Sequence, residues 1–442
     1  MTIQHRVRRK VDFFVDLDFE EVIETGGKAF PDGYCIELVK DPGGLPALLD
    51  SKSQKFHQLI DLAGQKYIPP PLEASVLEAL ILPTKRTDCV STVNLFGQIF
   101  DWIFGHGVSE ETAKAFTFFA LASWFPDCVP VAPCLMIDGP EADARIFLAL
   151  LKCVVRHALL LPEINNVSIF EFLPMHAQPT MLIGSVSPSM WRIISASNHL
   201  HAHLPLKRRL TDLYSMKAVY SRTTLDGVGG GAILNINCTL SGEKLPIVNG
   251  ATLEKNAANF QSKLVDYRFK HVARVQDADF DATNLPTPLR MLARSLGSCI
   301  VDAPELQAAI VPLLESQAEE LRVNRVLDPN FVTIEAMFAH CHSENGPVRV
   351  GVGEIATTVT AIMGDRGETA VFESKRMGSH LRFLGFHAKR DSKGFAIHLT
   401  PDVRRLIHRL ARDHQVGDSE QTVPGCPHCT EVMSTQAGRS NP

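Results

Sequence analysis

The chain of 442 residues is long enough for roughly two to four domains, and its content of 45% hydrophobic and 21% charged residues is that of a globular protein. A net charge of -5 excludes a protein that binds nucleic acid through its overall charge, so any such binding requires a local basic patch. The start of the chain has no apolar stretch of secretory length, and no run approaches the roughly 18 to 20 apolar residues of a membrane span, so we expect neither a signal peptide nor a membrane partner.

The ten cysteines point to a reducing compartment. They are mostly single, and several lie in apolar runs, as Cys134, Cys153 and Cys238 do. This pattern is typical of buried thiols rather than of a disulfide framework. We therefore expect a cytoplasmic protein.

The chain begins with two segments of different character. Residues 1–71 combine short β-prone runs, such as DFFVDLDF and YCIELV, with glycine and proline breaks, and they end in a linker of three prolines. Residues 72–128 carry apolar residues at three- and four-residue spacing, which predicts a helical domain.

A larger α/β domain is predicted over residues 129–250. Short apolar runs alternate there with helical segments, the order expected when helices cover a parallel sheet. The runs are PCLMIDG, ALLLPEI, PTMLIG, KAVYS and AILNINCTL. Residues 251–330 follow as a predicted helical lid or connector.

The first of these strands leads into a degenerate phosphate-binding motif. In the spacing G-x-x-x-x-G-K-[ST], backbone N–H groups wrap the phosphates, the lysine neutralises them and the hydroxyl holds magnesium. Here the motif runs from Gly139 and Pro140 to Ala144, Arg145 and Ile146, so the second glycine, the lysine and the hydroxyl are all replaced. We expect the turn to keep the shape of a phosphate-binding loop while lacking the groups that grip phosphate and metal.

Two further features disfavour nucleotide binding. Glu141 and Asp143 would direct negative charge at a triphosphate. The strand PTMLI is followed by Gly184 and Ser185 instead of the carboxylates that hold magnesium and polarise the attacking water. We therefore expect no catalysis and no cofactor, with binding of ATP and magnesium left open but disfavoured.

Four stretches of the chain stand in an order that resembles P-loop helicase-like or primase-associated ATPase domains of plasmids and phages. They are ASWFPDCVPVAPCLMIDGP, ALLLPEI, PTMLIG and SASNHLHAHLP followed by DLYSMKAVY. The resemblance covers about residues 72–270. It implies an α/β fold with a P-loop NTPase-like (RecA/AAA-like) parallel sheet, Ser221 in the place of a polar sensor, replication proteins as partners and a homo-oligomer. An α/β domain of unrelated origin is the alternative.

A C-terminal winged helix-turn-helix is predicted over residues 331–415. The runs VTIEAMFAHC, VGEIATTVTAIMG and SKRMGSHLRFLGF predict three helices, a ribbon turns at residues 391–394, and DVRRLIHRLARDH predicts a last helix. Basic residues far outnumber acidic ones from the third of these helices onward, in an otherwise acidic chain, which favours DNA as a partner.

The predicted DNA contacts lie on two elements, a recognition helix and a wing that together would straddle a groove and its phosphates. They are Lys375, Arg376, His380 and Arg382 on the helix, and Lys389, Arg390 and Lys393 on the wing. The alternatives are a solvated basic face and a winged helix that binds protein.

The tail, residues 416–442, is polar and predicted to be disordered. Its Cys426 and Cys429 have the C-x-x-C spacing of half a zinc site. A second tail in a dimer could complete such a site, as could donors from elsewhere, namely His340, Cys341 and His342. Zinc is thus left open, and a disordered tail with free thiols is the alternative.

A second histidine pattern also has two interpretations. His199, His201 and His203 alternate, so on a strand they would share one face and could hold a metal, whereas on a loop they would only be polar decoration.

Taken together, the sequence predicts a non-catalytic DNA-binding accessory or scaffold protein of a replication or mobile-element system. Two alternatives stay open, an active ATPase or helicase-like motor with atypical residues and a protein-binding regulator without DNA contact.

Overall fold

The computed structural model divides the chain into two compact units, Met1–Leu314 and Glu315–Pro442. It describes residues 22–429 except 172, 200–201, 207–208, 222–232, 241–248, 286, 344–346, 393, 415, 417–425 and 428. The predicted β-prone run DFFVDLDF and most of the predicted disordered tail lie outside the described residues. Within the described part, no helix has both the length and the apolar character needed to cross a bilayer.

The first unit begins with two small sheets. Their strands are β1 (Val22–Glu24), β2 (Gly27–Ala29), β3 (Cys35–Lys40), β4 (Pro46–Asp50), β5 (Phe56–His57), β6 (Ile60–Leu62) and β7 (Gln65–Ile68). One sheet is antiparallel, in the order β2-β3-β4-β5, and the other has the order β1-β7-β6. Ile36, Leu48, Ile60 and Tyr67 form an apolar cluster between these strands.

Three helices follow where the sequence predicts a helical domain. They are α1 (Ala74–Ala79), α2 (Thr92–Phe104) and α3 (Glu110–Ala122). The two longer helices begin at serine caps, since the Ser91 side chain accepts a hydrogen bond from Asn94 N and the Ser109 side chain accepts one from Thr112 N.

The centre of the first unit is a five-stranded sheet in which every pairing is parallel. Its strands are β8 (Cys134–Asp138), β9 (Ala158–Leu161), β10 (Thr180–Ile183), β13 (Lys217–Tyr220) and β14 (Ile233–Asn237), in the order β14-β8-β13-β10-β9. They coincide with the five apolar runs, because strands covered on both faces need nearly continuous apolar sequence. The predicted α/β fold with a parallel sheet is confirmed, and the arrangement is consistent with a P-loop-like fold.

Helices α4 (Glu141–Val154) and α5 (Pro188–Ala196) connect strands of this sheet, and β11 (His203–Leu206) and β12 (Arg209–Asp212) form a separate antiparallel pair. After the sheet come α6 (Gly250–Gln276), α7 (Thr287–Gly297) and α8 (Pro304–Arg325), where a helical lid or connector is predicted. Helix α6 packs on α4, and Gln261 in α6 donates to the carbonyls of Cys153 and Val155 at 3.2 and 2.8 Å.

The second unit contains the predicted succession of three helices, a ribbon and a last helix. Its elements are α9 (Pro329–Cys341), β15 (Arg349–Gly351), α10 (Val352–Asp365), α11 (Ser374–Phe383), β16 (Lys389–Asp391), β17 (Gly394–His398) and α12 (Pro401–Asp413). The short strand β15, which the sequence analysis does not anticipate, pairs antiparallel with β17 and makes the ribbon a three-stranded sheet. Buried apolar residues of α9, α10 and α11 form one core, including Met337, Ile355, Met377 and Leu381.

A charge cluster whose Glu37, Arg156 and Arg268 side chains are fully buried joins four distant segments of the first unit. Glu37 of β3 lies 2.5 Å from Arg156 Nε, which stands just before β9, and 2.8 Å from Arg268 Nε of α6. The Arg268 guanidinium also donates two hydrogen bonds of 2.8 Å to Asp127. Asp127 in turn accepts a hydrogen bond of 2.6 Å from Ala29 N of β2.

The arginines of this cluster keep its carboxylates ionised. Burial by itself raises the pKa of both acids, but Arg156 and Arg268 outweigh it at Glu37, and the pKa of Glu37 lies below its ordinary value. At Asp127 burial also raises the pKa, but Arg268 outweighs it, and the pKa is lowered to about 2. Because buried charges are costly unless paired, removal of one partner leaves the others uncompensated.

We expect Glu37→Gln to destabilise the first unit by about 3–5 kcal/mol, since it removes the carboxylate that pairs with the buried Arg156 and leaves the buried Arg268 with Asp127 alone. Urea unfolding followed by tryptophan fluorescence measures this, because Trp102, Trp124 and Trp191 are the only tryptophans and all lie in this unit. The matched control is Glu110→Gln, which removes an exposed pair with Lys114 and should cost about 0.3–0.5 kcal/mol. Equal effects of the two variants would contradict the role assigned to Glu37.

The stability of the first unit should also fall in acid. Since the pKa values of Glu37 and Asp127 are depressed in the folded state, their contribution is complete above the unfolded pKa of about 4 and is lost as the pH falls toward about 2. The urea midpoint should therefore be clearly lower at pH 3 than at pH 5, and Asp127→Asn should make this dependence shallower. A wild-type midpoint that stays constant over this range would argue against the depressed pKa values.

Candidate functional site at the carboxyl edge of the sheet and on the basic helix

The carboxyl edge of the parallel sheet is the first candidate site. Strand β8 lies inside the sheet between β14 and β13, and the strand order reverses around it. In open α/β sheets, ligands bind outside the carboxyl ends of the strands at such a switch point. The residues that meet there follow β8, β10 and β13, and they include the predicted positions Gly139, Gly184 and Ser221.

The turn after β8 does not have the shape of a phosphate-binding loop. Strand β8 ends at Asp138 and α4 begins at Glu141, so only Gly139 and Pro140 connect them. Ala144, Arg145 and Ile146, which the motif spacing assigns to the end of a loop, are already helical. The expectation that the turn keeps the shape of such a loop is wrong, because a two-residue connection leaves no row of N–H groups to wrap a phosphate, and Pro140 has none.

Close packing explains why Gly139 occupies this turn. Its φ of 126° lies in a region open almost only to glycine, and a Cβ atom there would come within 3.0 Å of Cys238 Sγ. Its N–H donates to Asp138 Oδ1 at 2.8 Å, and its carbonyl accepts from the Tyr220 hydroxyl at 3.3 Å. The glycine is therefore required by the approach of the segment after β14 and not by a ligand.

The charged groups near this turn are engaged within the protein. Asp143 is buried and accepts a hydrogen bond of 2.9 Å from Leu240 N, so it does not direct its charge at a ligand as expected. Glu141 pairs with the exposed Arg145 at 2.5 Å, one helical turn away. The buried Ala144 packs into the interior, where the second glycine of a phosphate loop would need open backbone.

The end of β10, where a nucleotide-hydrolysing enzyme would carry acidic side chains, is occupied by backbone hydrogen bonds. Gly184 N donates to the Leu161 carbonyl at 2.8 Å, and the Ser185 carbonyl accepts from Ile164 N at 2.9 Å. Ser221 follows β13 and is buried, beside the end of β8 in the register of the sheet. At this edge, Asp138 is itself the last residue of β8, and its Oδ1 accepts the hydrogen bond from Gly139 N.

A helix-start signal in the sequence could have revealed the short turn. Proline directly before the first turn, acids at Glu141 and Asp143 and the strong helix former Ala144 are all features of a helix beginning at residue 141. The motif spacing, taken alone, concealed this signal.

The second unit carries the second candidate site, a basic surface that we call the basic face. It consists of the exposed cations of α11 and β16, namely Lys375, Arg376, Arg382, Lys389 and Arg390. Residues 374–390 contain no acidic residue, and among the described residues no carboxylate pairs with any of these five side chains. Lys393, predicted for the wing, lies outside the described residues.

Two residues expected near this surface are partly used inside the unit. His380 is half-buried and hydrogen-bonds Asn330 Oδ1 at 2.9 Å, and burial lowers its pKa. Arg404 of α12, one of the basic residues of the predicted domain, donates to the carbonyls of Cys341 and Pro347 at 3.0 and 2.9 Å. His380 and Arg404 thus each hydrogen-bond within the unit, whereas the cations of the basic face are exposed to solvent.

The structure brings together one group of side chains with metal-ligand chemistry that the sequence only half revealed. Cys426 and Cys429 meet His342 and His408, with all four donor atoms within 4.8 Å of one another. Of the other proposed donors, His340 instead bonds Thr358 Oγ1 at 3.0 Å. The sequence analysis missed His408, which lies on the basic helix α12 with no cysteine or histidine motif around it.

Of the alternating histidines, the two that the structure describes, His199 and His203, are not part of such a group. His199 lies in an isolated bridge to Val131, and His203 begins β11, while His201 lies outside the described residues. A third group, Asp88, Cys89 and Asp266, is close enough for a metal. The Lys270 ammonium, however, lies against both of its carboxylates and already supplies the positive charge.

Comparison with known proteins gives only distant similarity. No protein-family model matches this chain, and no curated protein matches it. An apo structure of the C-terminal region of NrS-1 is 11% identical, with a TM-score of 0.33 over 83% of this chain and 97% of that one. Cdc6p from Pyrobaculum aerophilum is 11% identical, with a TM-score of 0.19 over 69% and 94%, and a chain of Drosophila ORC bound to DNA is 11% identical, with a TM-score of 0.16 over 81% and 96%.

The geometry after β8 leads us to expect no saturable binding of ATP. Calorimetric titration of the full chain with ATP and magnesium should give no binding isotherm, and phosphate release should equal the buffer blank, because the turn offers neither a cradle nor a magnesium ligand. Turnover that Arg145→Ala abolishes would contradict this account and favour an ATPase with atypical residues. Lys152→Ala, on the last turn of the same helix, is the charge-matched control.

Proposed function

We propose that this protein is a non-catalytic DNA-binding accessory or scaffold protein, in which a C-terminal winged helix contacts the DNA. The observation that carries the proposal is the basic face, five exposed cations on α11 and β16 without a carboxylate partner among the described residues. In a chain with a net charge of -5, such local positive charge is the electrostatic footprint of nucleic-acid binding.

The order of elements in the second unit supports a winged helix. Helices α9, α10 and α11 share one apolar core, and the ribbon of β16 and β17 follows α11 directly. In such domains, the last of three helices enters the major groove, and the ribbon contacts the neighbouring backbone. The predicted recognition helix is α11, and the predicted wing is the ribbon.

The side chains of α11 form a buried set and an exposed set, as in a helix that reads a DNA groove. Met377 and Leu381, one turn apart, are completely buried and anchor the helix in the core. Lys375, Arg376 and Arg382 are exposed, and the Arg376 guanidinium lies over the Phe372 ring at 5.1 Å. This stacking holds Arg376 in place while its fork of donors stays accessible to phosphates or to guanine edges.

A scaffold role for the first unit fits the chemistry of its sheet edge. The two-residue turn after β8 and the absence of acids after β10 remove two independent requirements of phosphoryl transfer. The remaining large α/β unit has an extensive core, which is what a rigid platform needs. The assignment to a replication or mobile-element system rests on the resemblance of residues 72–270 to helicase-like and primase-associated domains.

A second candidate function, a protein-binding regulator, is favoured by exposed apolar side chains in the second unit. Phe383 on α11 is 73% exposed and Phe395 on β17 is 58% exposed. Exposed aromatic side chains of this size are typical of protein interfaces. The two functions differ in salt dependence, because phosphate contacts release counterions and apolar contacts do not.

DNA binding by the basic face can be tested by fluorescence anisotropy with a labelled duplex over a series of salt concentrations. We expect Lys375→Ala/Arg382→Ala and Lys389→Ala/Arg390→Ala each to weaken binding by about tenfold or more. Each should also reduce the slope of log affinity against log salt by about 2, because each removes two phosphate contacts.

The control is Arg192→Ala/Lys255→Ala, which removes two exposed cations from the first unit and changes the net charge equally. It should leave affinity and slope close to those of the wild type. If all three double variants weakened binding alike, attraction would be non-specific and the basic face would not be the site. DNA binding whose affinity does not depend on salt concentration, or the absence of DNA binding, would favour the protein-binding regulator.

A further inference from the structure

The end of the second unit contains a group of four donors, which we call the His₂Cys₂ cluster. It consists of His342, His408, Cys426 and Cys429. His342 directly follows α9, and His408 lies in α12, where its side chain is buried. The two cysteines come from a segment near the end of the chain, so the cluster joins three separate parts of this unit.

The hydrogen bonds of the two imidazoles fix which nitrogen faces the cluster. His342 Nδ1 lies 2.9 Å from the Phe338 carbonyl, and His408 Nδ1 lies 2.7 Å from the Arg404 carbonyl. Because a carbonyl can only accept, both Nδ1 atoms carry the proton, and in the neutral rings both Nε2 atoms are left with a lone pair. An Nδ1–H bonded to a backbone carbonyl is also the usual support of a metal-binding histidine.

The two Nε2 atoms are nevertheless only 3.1 Å apart. Two neutral imidazoles that face each other with lone pairs repel, so this approach requires a positive charge between or beside them. Each Nε2 atom is also close to a thiol, with Cys426 Sγ 3.3 Å from His408 and Cys429 Sγ 3.4 Å from His342.

Three of the six donor–donor separations are slightly shorter than the edges of a tetrahedron around zinc, and all six are within 4.8 Å. With Zn–N near 2.0–2.1 Å and Zn–S near 2.3 Å, tetrahedral ligands stand about 3.3–3.8 Å apart. The three measured separations, 3.1, 3.3 and 3.4 Å, lie close to that range. Two thiolates also neutralise the two charges of the ion, so the filled site would be electrically neutral in its half-buried setting.

The cluster also differs from the other close group of donors in the described part of the chain. Asp88, Cys89 and Asp266 are already neutralised by Lys270, and Arg86 adds a second cation at 2.6 Å from Asp266. The His₂Cys₂ cluster instead offers imidazole and thiol donors, which are the ligands of structural zinc sites. Arg404, one helical turn before His408, donates to the carbonyls of Cys341 and Pro347.

We propose that His342, His408, Cys426 and Cys429 bind one structural zinc ion. All four positions of the tetrahedron are taken by protein, which is the arrangement of a structural and not of a catalytic site. On binding, both thiols lose their protons to solvent, and the ion fastens the C-x-x-C segment to the end of α9 and to α12. Cys426 and Cys429, which belong to the predicted disordered tail, would thereby be held in the second unit.

Metal content of the full chain tests the site directly. Protein purified without chelators, loaded with zinc and passed over a weak chelating resin should retain about one zinc per chain by mass spectrometry of the metal. Cobalt substitution should give the strong visible d–d absorption of a tetrahedral site with two thiolates. Cys426→Ser/Cys429→Ser and His408→Asn should each reduce the retained metal to near zero.

The matched controls are Cys128→Ser and His340→Asn, which alter a partly exposed thiol and a neighbouring imidazole outside the cluster and should retain about one zinc. Should a ligand variant fail to fold, wild-type protein treated with a strong zinc chelator should unfold its second unit at a lower temperature in calorimetry, with recovery on adding zinc but not magnesium. A wild-type chain that retains no zinc, or zinc that persists in Cys426→Ser/Cys429→Ser, would overturn the proposal.

Discussion

The buried carboxylate of Glu37 is the constraint on which the first unit depends. It belongs to the small antiparallel sheet near the start of the chain, yet its partner Arg156 stands just before a strand of the parallel sheet, and its partner Arg268 belongs to the long helix α6. Through Arg268 the same network reaches Asp127, which holds the N–H of Ala29 in the neighbouring strand. Because none of these charges can remain unpaired in the interior, the two sheets are fixed to each other and to α6.

On this fixed frame, the carboxyl edge of the parallel sheet is shaped by packing and not by a ligand. The close approach of Cys238 requires glycine at position 139, the helix begins two residues later, and Asp143 holds Leu240 N. A phosphate-binding loop would need all three of these features to change together. The exposed cations of the basic face and the four donors of the His₂Cys₂ cluster both lie in the second unit.

The sequence predicts the strands of the parallel sheet well, because a strand that is covered on both faces needs a nearly continuous apolar run, such as CLMID or TMLI. It does not predict the pairing of Glu37 with Arg156, since charged residues ordinarily indicate surface and their partner stands more than a hundred residues away. It also half-predicts the His₂Cys₂ cluster: the C-x-x-C spacing is local, whereas His408 reaches the cysteines only through the packing of α12. The sequence does not settle the turn after β8, because the motif spacing favours a phosphate-binding loop whereas the helix-start signals at residues 140–144 favour a short turn.

Hydrogen exchange of the full chain, with and without a saturating DNA duplex, tests the central claim most directly. The account predicts that DNA slows exchange in α11 and in the ribbon of β16 and β17, while residues 139–146 exchange at the same rate with DNA, ATP and magnesium as without them. Protection of residues 139–146 by ATP, together with unchanged exchange in α11 and the ribbon, would contradict it.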